Sequence, residues 1–136
     1  MQIASLSPEE RLQLGQIVLD MLDSWAISPA QQIVLLDLPP KTKPRAMKQY
    51  HDATPLPESD STNERIEHLL GIADALRTSY PRNSQMAGFW IGQVQPRLGG
   101  RIPLEMMLQD GLEGMIAVRA HVDCAWDWHR DQEGAD

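Results

Sequence analysis

The chain has 136 residues, 42% of them hydrophobic, and a formal net charge of −7 at pH 7. This length accommodates one domain or two small domains that share a core. No apolar run approaches the roughly 20 residues of a membrane span, and the first residues lack the features of a signal peptide. The acidic balance argues against a general nucleic-acid-binding surface. The single cysteine, Cys124, cannot form an internal disulfide, so we expect a cytoplasmic protein.

Two helices are predicted before residue 40. Ser7-Pro8-Glu9-Glu10 is a capping box, and apolar residues then recur at three- and four-residue spacing as far as Trp25. Ser28-Pro29-Ala30-Gln31 gives the same start signal, and the short helix that follows stops before Pro39-Pro40. The start of each helix is therefore defined by its sequence.

The next predicted helix carries basic charge. Pro44 is tolerated in its first turn, and the helix ends near Pro55. Lysine and arginine bind phosphates and polar side chains read base edges, so the candidate DNA-binding residues are Lys41, Lys43, Arg45, Lys48 and Gln49. Three short helices with a basic third one are typical of a helix-turn-helix. The alternative is a solvated turn, because Pro39-Pro40 replaces the usual glycine-containing connection.

A linker and two further helices follow. Residues 55–60 have the composition of a rigid linker, which places a domain boundary after residue 57. Ser61-Thr62-Asn63-Glu64 is a third capping box, and its helix ends before Pro81. Ser84 is predicted to cap a short helix that ends near Gly92.

The last third of the chain contains a glycine loop between helices. Gly99 and Gly100 permit the positive φ of a tight turn, and Pro103 fits the first turn of the next helix. A break at Asp110-Gly111 precedes a final helix of about 18 residues.

The segment 90–111 resembles the toxin-binding domain of the Xre/MbcA/ParS antitoxin family. The resemblance depends on Trp90, Pro96, the run Leu98-Gly99-Gly100-Arg101-Ile102-Pro103-Leu104, and Gly111. The helix over residues 63–77 is also similar to a helix that members of the family have at this place. The resemblance is strongest over 61–126 and weaker over 7–57, where the family has an Xre-like region.

The resemblance implies an antitoxin, which is the neutralising half of a bacterial toxin–antitoxin pair with a toxin of the RES type. In the family the C-terminal domain and tail engage the toxin, and in some members they block its active site. In this chain the resemblance implicates the loop Leu98–Arg101 and the end Trp126–Arg130. Within these two segments we infer that the toxin-binding residues are Leu98, Gly99, Gly100, Arg101, Trp126, Trp128, His129 and Arg130. The family is commonly dimeric and autoregulatory, so the resemblance also implies a homodimer and operator DNA.

Some of these residues have structural alternatives. The Arg101 guanidinium could tie the loop to the C-terminal end of a helix. Trp126 and Trp128 are two residues apart, so both cannot face one core from a helix. One interpretation is that one of them is exposed at an interface. The alternative is that Trp126 is buried and Trp128 is half-covered by its own domain.

No metal, cofactor or catalytic site is predicted. His121, Asp123, Cys124 and His129 fall within nine residues, but the second cysteine of a typical zinc site is missing. A packed Cys124 beside surface histidines explains them better. The chain lacks a nucleophile elbow, a phosphate-binding loop and a dinucleotide fingerprint, so we expect no enzyme activity.

The sequence therefore predicts an all-α protein with two parts. A helix-turn-helix-like region, residues 1–57, packs on a helical toxin-binding region, residues 58–136. The expected function is that of a type II antitoxin that occludes the active site of a RES-type toxin and helps to repress their operon. The alternatives are a stand-alone helix-turn-helix transcription regulator and a helical adaptor that binds no DNA.

Overall fold

The computed structural model describes the backbone of residues 3–134 and the side chains of residues 3–124. This range is helical and contains no β-strand, which confirms the predicted all-α fold. Its α-helices are α1 (Pro8–Ser24), α2 (Pro29–Leu35), α3 (Met47–Asp52), α4 (Asp60–Ser79), α5 (Met86–Ile91), α6 (Pro103–Asp110) and α7 (Leu112–Gly134). No helix among the described residues is long and apolar enough to span a bilayer.

The chain forms two compact units, residues 1–67 and residues 68–136. The first unit contains α1, α2, α3 and the beginning of α4, and the second contains the rest of α4 together with α5, α6 and α7. The functional boundary after residue 57, and the packing of one part on the other, stay predictions.

The first two predicted capping boxes are both present. The Ser7 hydroxyl accepts a hydrogen bond from the Glu10 amide at 3.2 Å, and the Glu10 carboxylate accepts one from the Ser7 amide at 3.0 Å. Ser28 and Gln31 make the same reciprocal pair at 3.3 and 3.0 Å. These bonds satisfy amides that have no partner within the helix, so both helices start where the sequence predicts.

Helices α1 and α2 end in the same way, with a residue other than glycine in the left-handed conformation. Ala26 has a φ of 59° and Asp37 a φ of 51°. The backbone amide of the next residue donates a hydrogen bond of 3.1 Å to a carbonyl of the helix, from Ile27 to Leu22 in α1 and from Leu38 to Ile33 in α2. This is the Schellman motif, whose left-handed position glycine usually occupies. Ile27 and Leu38 are buried, so each motif turns the chain back into the core.

The third predicted capping box is wrong by two residues. Helix α4 starts at Asp60, and the hydroxyl that accepts from the Thr62 amide, at 3.0 Å, belongs to Ser59. Ser61 instead donates to the Asp37 carboxylate at 2.6 Å. The Thr62 hydroxyl donates to the Leu36 carbonyl at 2.8 Å. The start of α4 thus caps the end of α2, a contact between distant segments that local sequence does not encode.

The predicted cap at Ser84 is also wrong. Helix α5 begins at Met86 after Gln85, which makes no side-chain capping bond. The acceptor in this turn is the Asn83 side chain, whose oxygen lies 3.1 Å from the Gln85 amide. An Asx-type turn therefore replaces the serine cap.

Arg11 ties α1 to the linker that precedes α4. Its side chain is buried, and its Nε donates to the Leu56 carbonyl at 3.0 Å. One terminal nitrogen donates to the Pro57 carbonyl at 2.9 Å and to the Asn63 side chain at 3.0 Å. The other terminal nitrogen is buried without a partner. The linker is held against α1 over Gly15, where an added Cβ would lie 3.4 Å from Leu56.

The predicted basic helix begins with a 3₁₀ turn, Pro44–Ala46, and continues as α3, which packs against α1. Lys41 and Lys43 precede this turn. Met47 anchors it in the core. The helix-turn-helix detail stays a prediction, because residues 36–43 separate α2 from the 3₁₀ turn. That connection is longer than the roughly three to four residues of the usual motif.

The second unit contains a tight pair of helices, α6 and α7. Gly111 ends α6 with a φ of 65°, as the predicted break requires. An added Cβ at Gly114 would lie only 2.3 Å from the Met106 carbonyl oxygen, so glycine lets the two backbones approach. Helix α7 has 23 residues and exceeds the predicted length. Its described part buries Met115, Val118 and Val122.

Ala26→Gly is expected to raise the free energy of unfolding by about 1 kcal/mol, because glycine enters the left-handed region without the steric cost of a Cβ. Ala26 is exposed, so the methyl group removed makes little packing contribution. The exposed, helical Ala117 provides the control, and Ala117→Gly should destabilise by about 1 kcal/mol. Chemical denaturation of both variants checks the prediction. Equal losses of stability would contradict the role assigned to Ala26.

Candidate functional site

The first unit has an exposed basic surface, which we define by Lys41, Lys43, Arg45, Lys48 and Gln49. All five predicted DNA-binding side chains are exposed. Four of them line one concavity of about 460 Å³, together with Thr42, Ala46 and Tyr50. Lys48, on α3, lines a neighbouring cavity instead, which it shares with Arg45. The structure therefore brings the predicted set together on adjoining surfaces.

The ion pairs of this basic surface decide whether its positive charges can meet phosphate groups. None of Lys41, Lys43, Arg45 and Lys48 forms an ion pair with a side chain that the structure describes. Gln49 is partly engaged, because its amide nitrogen donates to the Thr54 hydroxyl at 3.1 Å. The four cations are consequently available to phosphate groups, although the whole chain is acidic.

The neighbouring cavity, of about 420 Å³, lies between α1, α2 and α3 and was not predicted from the sequence. Its buried lining comes from Leu19, Gln32 and Met47. Further lining residues are Asp23, Pro29, Pro44, Arg45, Lys48 and His51. These residues are scattered over three segments, and no local pattern marks them as a set.

His51 links α3 to α1 at the edge of this cavity. Its Nε2 lies 2.5 Å from an Asp20 carboxylate oxygen, and its Nδ1 lies 3.1 Å from Asp52. The bond to Asp20, followed by the bond to Asp52, raises the pKa of His51 above its ordinary 6.5. The predicted sites did not include His51, because its main partner is 31 residues away in the chain.

One group of described side chains has the geometry to hold a cation. Asp20, Asp23 and His51 place one ligand atom each within 4.8 Å of one another. Both carboxylates are exposed, and each already accepts a hydrogen bond. Asp20 accepts from His51, and Asp23 accepts from the side-chain nitrogen of Gln32 at 2.6 Å. These bonds account for the group as a structural contact between helices.

Three of the four residues weighed above as zinc ligands, His121, Asp123 and Cys124, have described side chains, and Asp123 is exposed. The ring of His121 stacks on Trp90, with centroids 5.9 Å apart and planes 16° from parallel. Burial, and then the charge of Arg97, lower the pKa of His121. Cys124 is exposed, which corrects the expectation of a packed cysteine.

The second unit presents the glycine loop, residues 95–101. Gly99 and Gly100 have φ values of 69° and 75°, as predicted. The Gln95 amide donates to the Arg101 carbonyl at 3.0 Å, and the Gly100 amide donates to the Gln95 carbonyl at 3.1 Å. The Gln95 side chain also donates to the Trp90 carbonyl at 3.2 Å, which attaches the loop to the end of α5.

Arg101 braces the loop against the end of α6. Its guanidinium donates to the Asp110 carboxylate at 2.7 Å and to the Gln109 side chain at 3.0 Å. The same hydrogen bond lowers the pKa of Asp110. The tie between the loop and a helix end is thus present in the structure, while a contact of Arg101 with a toxin stays a prediction.

Exposed apolar side chains flank the glycine loop. Phe89, on α5, is 60% exposed, and Val94, next to the base of the loop, is 58% exposed. Leu98 is half-buried, and nothing lies within 4 Å of a Cβ added to Gly99 or Gly100. The other predicted toxin contacts, Trp126, Trp128, His129 and Arg130, have side chains outside the described residues.

Comparisons of the chain with protein-family models, curated proteins and solved structures found no match. The features that bear on function are therefore the basic surface of the first unit and the glycine loop of the second.

His51→Gln is expected to lower the free energy of unfolding in a pH-dependent way. The folded pKa of His51 is raised, so its stabilising contribution is fully present below the unfolded pKa and is lost as the pH rises through the folded pKa. The difference between wild type and variant should therefore be largest at acidic pH, below 6.5, and shrink toward alkaline pH. Denaturant titrations across this range measure it.

Asp20→Asn is the matched control, because it removes the first partner of His51. Asp20→Asn should by itself remove most of the pH-dependent stabilisation that His51 provides. The double variant should therefore lose little more stability than either single variant. A difference that is constant with pH would show that His51 acts through packing alone.

Proposed function

We propose that this protein is a type II antitoxin whose second unit neutralises a RES-type toxin by occluding its active site. The observation that carries the proposal is the braced, exposed glycine loop. Its two glycines leave a strip of backbone with open space above it, which another protein could approach closely. Three attachments, to α5, across the loop base and to α6, hold that strip in one conformation.

The apolar side chains beside the loop support a protein partner rather than a small ligand. Phe89 and Val94 are large, exposed and close in sequence to the loop. Where such a side chain does lie in a contact surface, an aromatic residue often contributes most of the binding energy. The region also contains the residues that resemble the antitoxin family. The sequence and the surface therefore favour the same partner class.

The first unit supports a second part of the same function, which is binding of operator DNA. Its basic surface presents four cations that form no ion pair with a described side chain, which favours phosphate binding. One copy of such a surface binds weakly at physiological salt, so we propose a homodimer that doubles the contacts. An antitoxin that represses its own operon in the cytoplasm would use both units.

A stand-alone transcription regulator is the second candidate, and the basic surface favours it equally. The two functions differ in their need for a toxin. A toxin reading frame beside the gene, and growth rescue on co-expression with it, would support the antitoxin. DNA binding without either would support the regulator.

Replacing Phe89 and Val94 together by serine should weaken toxin binding by about 2 kcal/mol or more, since an exposed aromatic anchor is lost. The expected readouts are loss of growth rescue and a rise in Kd of about thirty-fold or more against the toxin encoded by the adjacent reading frame. The free energy of unfolding should change by less than about 0.5 kcal/mol, because both side chains are exposed.

Ile17→Ser is the matched control, because Ile17 is 59% exposed but lies on α1 of the first unit. It should retain both rescue and affinity. If the double variant binds the toxin as tightly as wild type does, the toxin surface lies elsewhere.

Binding of the protein to its own promoter should fall steeply with salt. Each phosphate contact adds about 0.9 to the log–log slope, so a dimer that uses three or four cations per subunit gives a slope of roughly −5 to −7. Lys43→Gln with Lys48→Gln should flatten the slope and weaken binding to all sequences alike. Changes at Arg45 or Gln49 should shift sequence preference by about 1–3 kcal/mol where either residue reads a base. A slope near zero would leave the basic segment a solvated turn.

A further inference from the structure

We propose that the cavity between α1, α2 and α3 binds a small organic carboxylate with an apolar body. Its volume, about 420 Å³, lies in the range of roughly 300–1,000 Å³ that is usual for small-molecule sites. Leu19 and Met47 supply a buried apolar lining, and Pro29 and Pro44 form inflexible parts of the wall. An apolar body would therefore meet a rigid and largely apolar surface.

The charges at the cavity explain the preference for an anion. Arg45 and Lys48 line it, are exposed, and form no ion pair with a described side chain. Among the described lining residues the carboxylate belongs to Asp23, which accepts a hydrogen bond from the Gln32 side-chain nitrogen at 2.6 Å and keeps its charge, so Arg45 and Lys48 leave one positive charge in excess over Asp23. His51 is engaged with Asp20. The two cations thus remain to receive a carboxylate whose apolar end occupies the cavity.

The position of Arg45 connects this cavity with the basic surface. Arg45 lines both the cavity and the concavity that contains Lys41, Lys43 and Gln49. A bound carboxylate would engage Arg45 and Lys48 and cancel one of their two positive charges, and so weaken the attraction of the basic surface for DNA phosphates. This coupling rests on the proposed function, whereas the binding site itself does not.

The site can be tested on the full chain with benzoate, 2-naphthoate and octanoate, and with neutral 2-naphthamide as the uncharged probe. Calorimetric titration should show saturable binding of at least one carboxylate, with weaker binding of the amide. In amide NMR spectra the largest shifts should fall on residues of the cavity lining, such as Gln32 and Met47. Arg45→Gln and Lys48→Gln should each raise the carboxylate Kd about two- to five-fold.

Lys41→Gln is the matched control, because it removes the same charge from the adjoining concavity and not from the cavity. It should leave carboxylate affinity nearly unchanged. The proposal is overturned if none of the three carboxylates binds saturably in the millimolar range. It is also overturned if the neutral amide binds as tightly as 2-naphthoate, or if Lys41→Gln weakens binding as much as Arg45→Gln.

A second measurement separates the site from the coupling. The carboxylate that binds should lower affinity for a DNA fragment that carries the gene's own promoter, and Arg45→Gln should reduce this effect. Binding of promoter DNA that is unchanged by saturating carboxylate would refute the coupling. Absence of DNA binding at every carboxylate concentration would instead refute the DNA-binding part of the proposed function and leave the carboxylate site supported by its own titration.

Discussion

The buried guanidinium of Arg11 is the interaction on which the first unit depends. Placing a charge where only 6% of the residue is exposed is costly unless hydrogen bonds replace the lost water. Here the partners are the Leu56 and Pro57 carbonyls and the Asn63 side chain, with no carboxylate among them. The bonds fix the linker on α1, and the linker in turn fixes where α4 begins. Loss of Arg11 would therefore free a whole segment rather than a single contact.

The basic surface follows from this arrangement and from the ends of α1 and α2. Each Schellman motif returns the chain to the core, and the second one is followed by Pro39-Pro40, which carries the backbone out to Lys41. The start of α4 then holds the end of α2 through Ser61 and Thr62. The cations are kept at the surface because the segment that bears them is anchored by a single buried residue, Met47.

The sequence predicted the features that depend on neighbouring residues. The caps at Ser7 and Ser28 and the turn at Gly99-Gly100 involve partners within a few positions, so a linear pattern contains them. The cavity and the bond between His51 and Asp20 were missed, since they join segments that only tertiary packing brings together. The cap at Ser61 was misplaced for the same reason, because α4 begins earlier, at Asp60, where the Ser61 hydroxyl donates to Asp37, 24 residues away in the chain.

The braced glycine loop has a thermodynamic consequence for any partner. Glycine-rich segments usually lose much conformational entropy when they are ordered by binding. In this protein the hydrogen bonds of Gln95 and the tie from Arg101 to Asp110 have already ordered the loop in the free chain. That entropic cost is part of folding and is absent from association. Preorganisation of this kind favours slow dissociation without requiring a large interface.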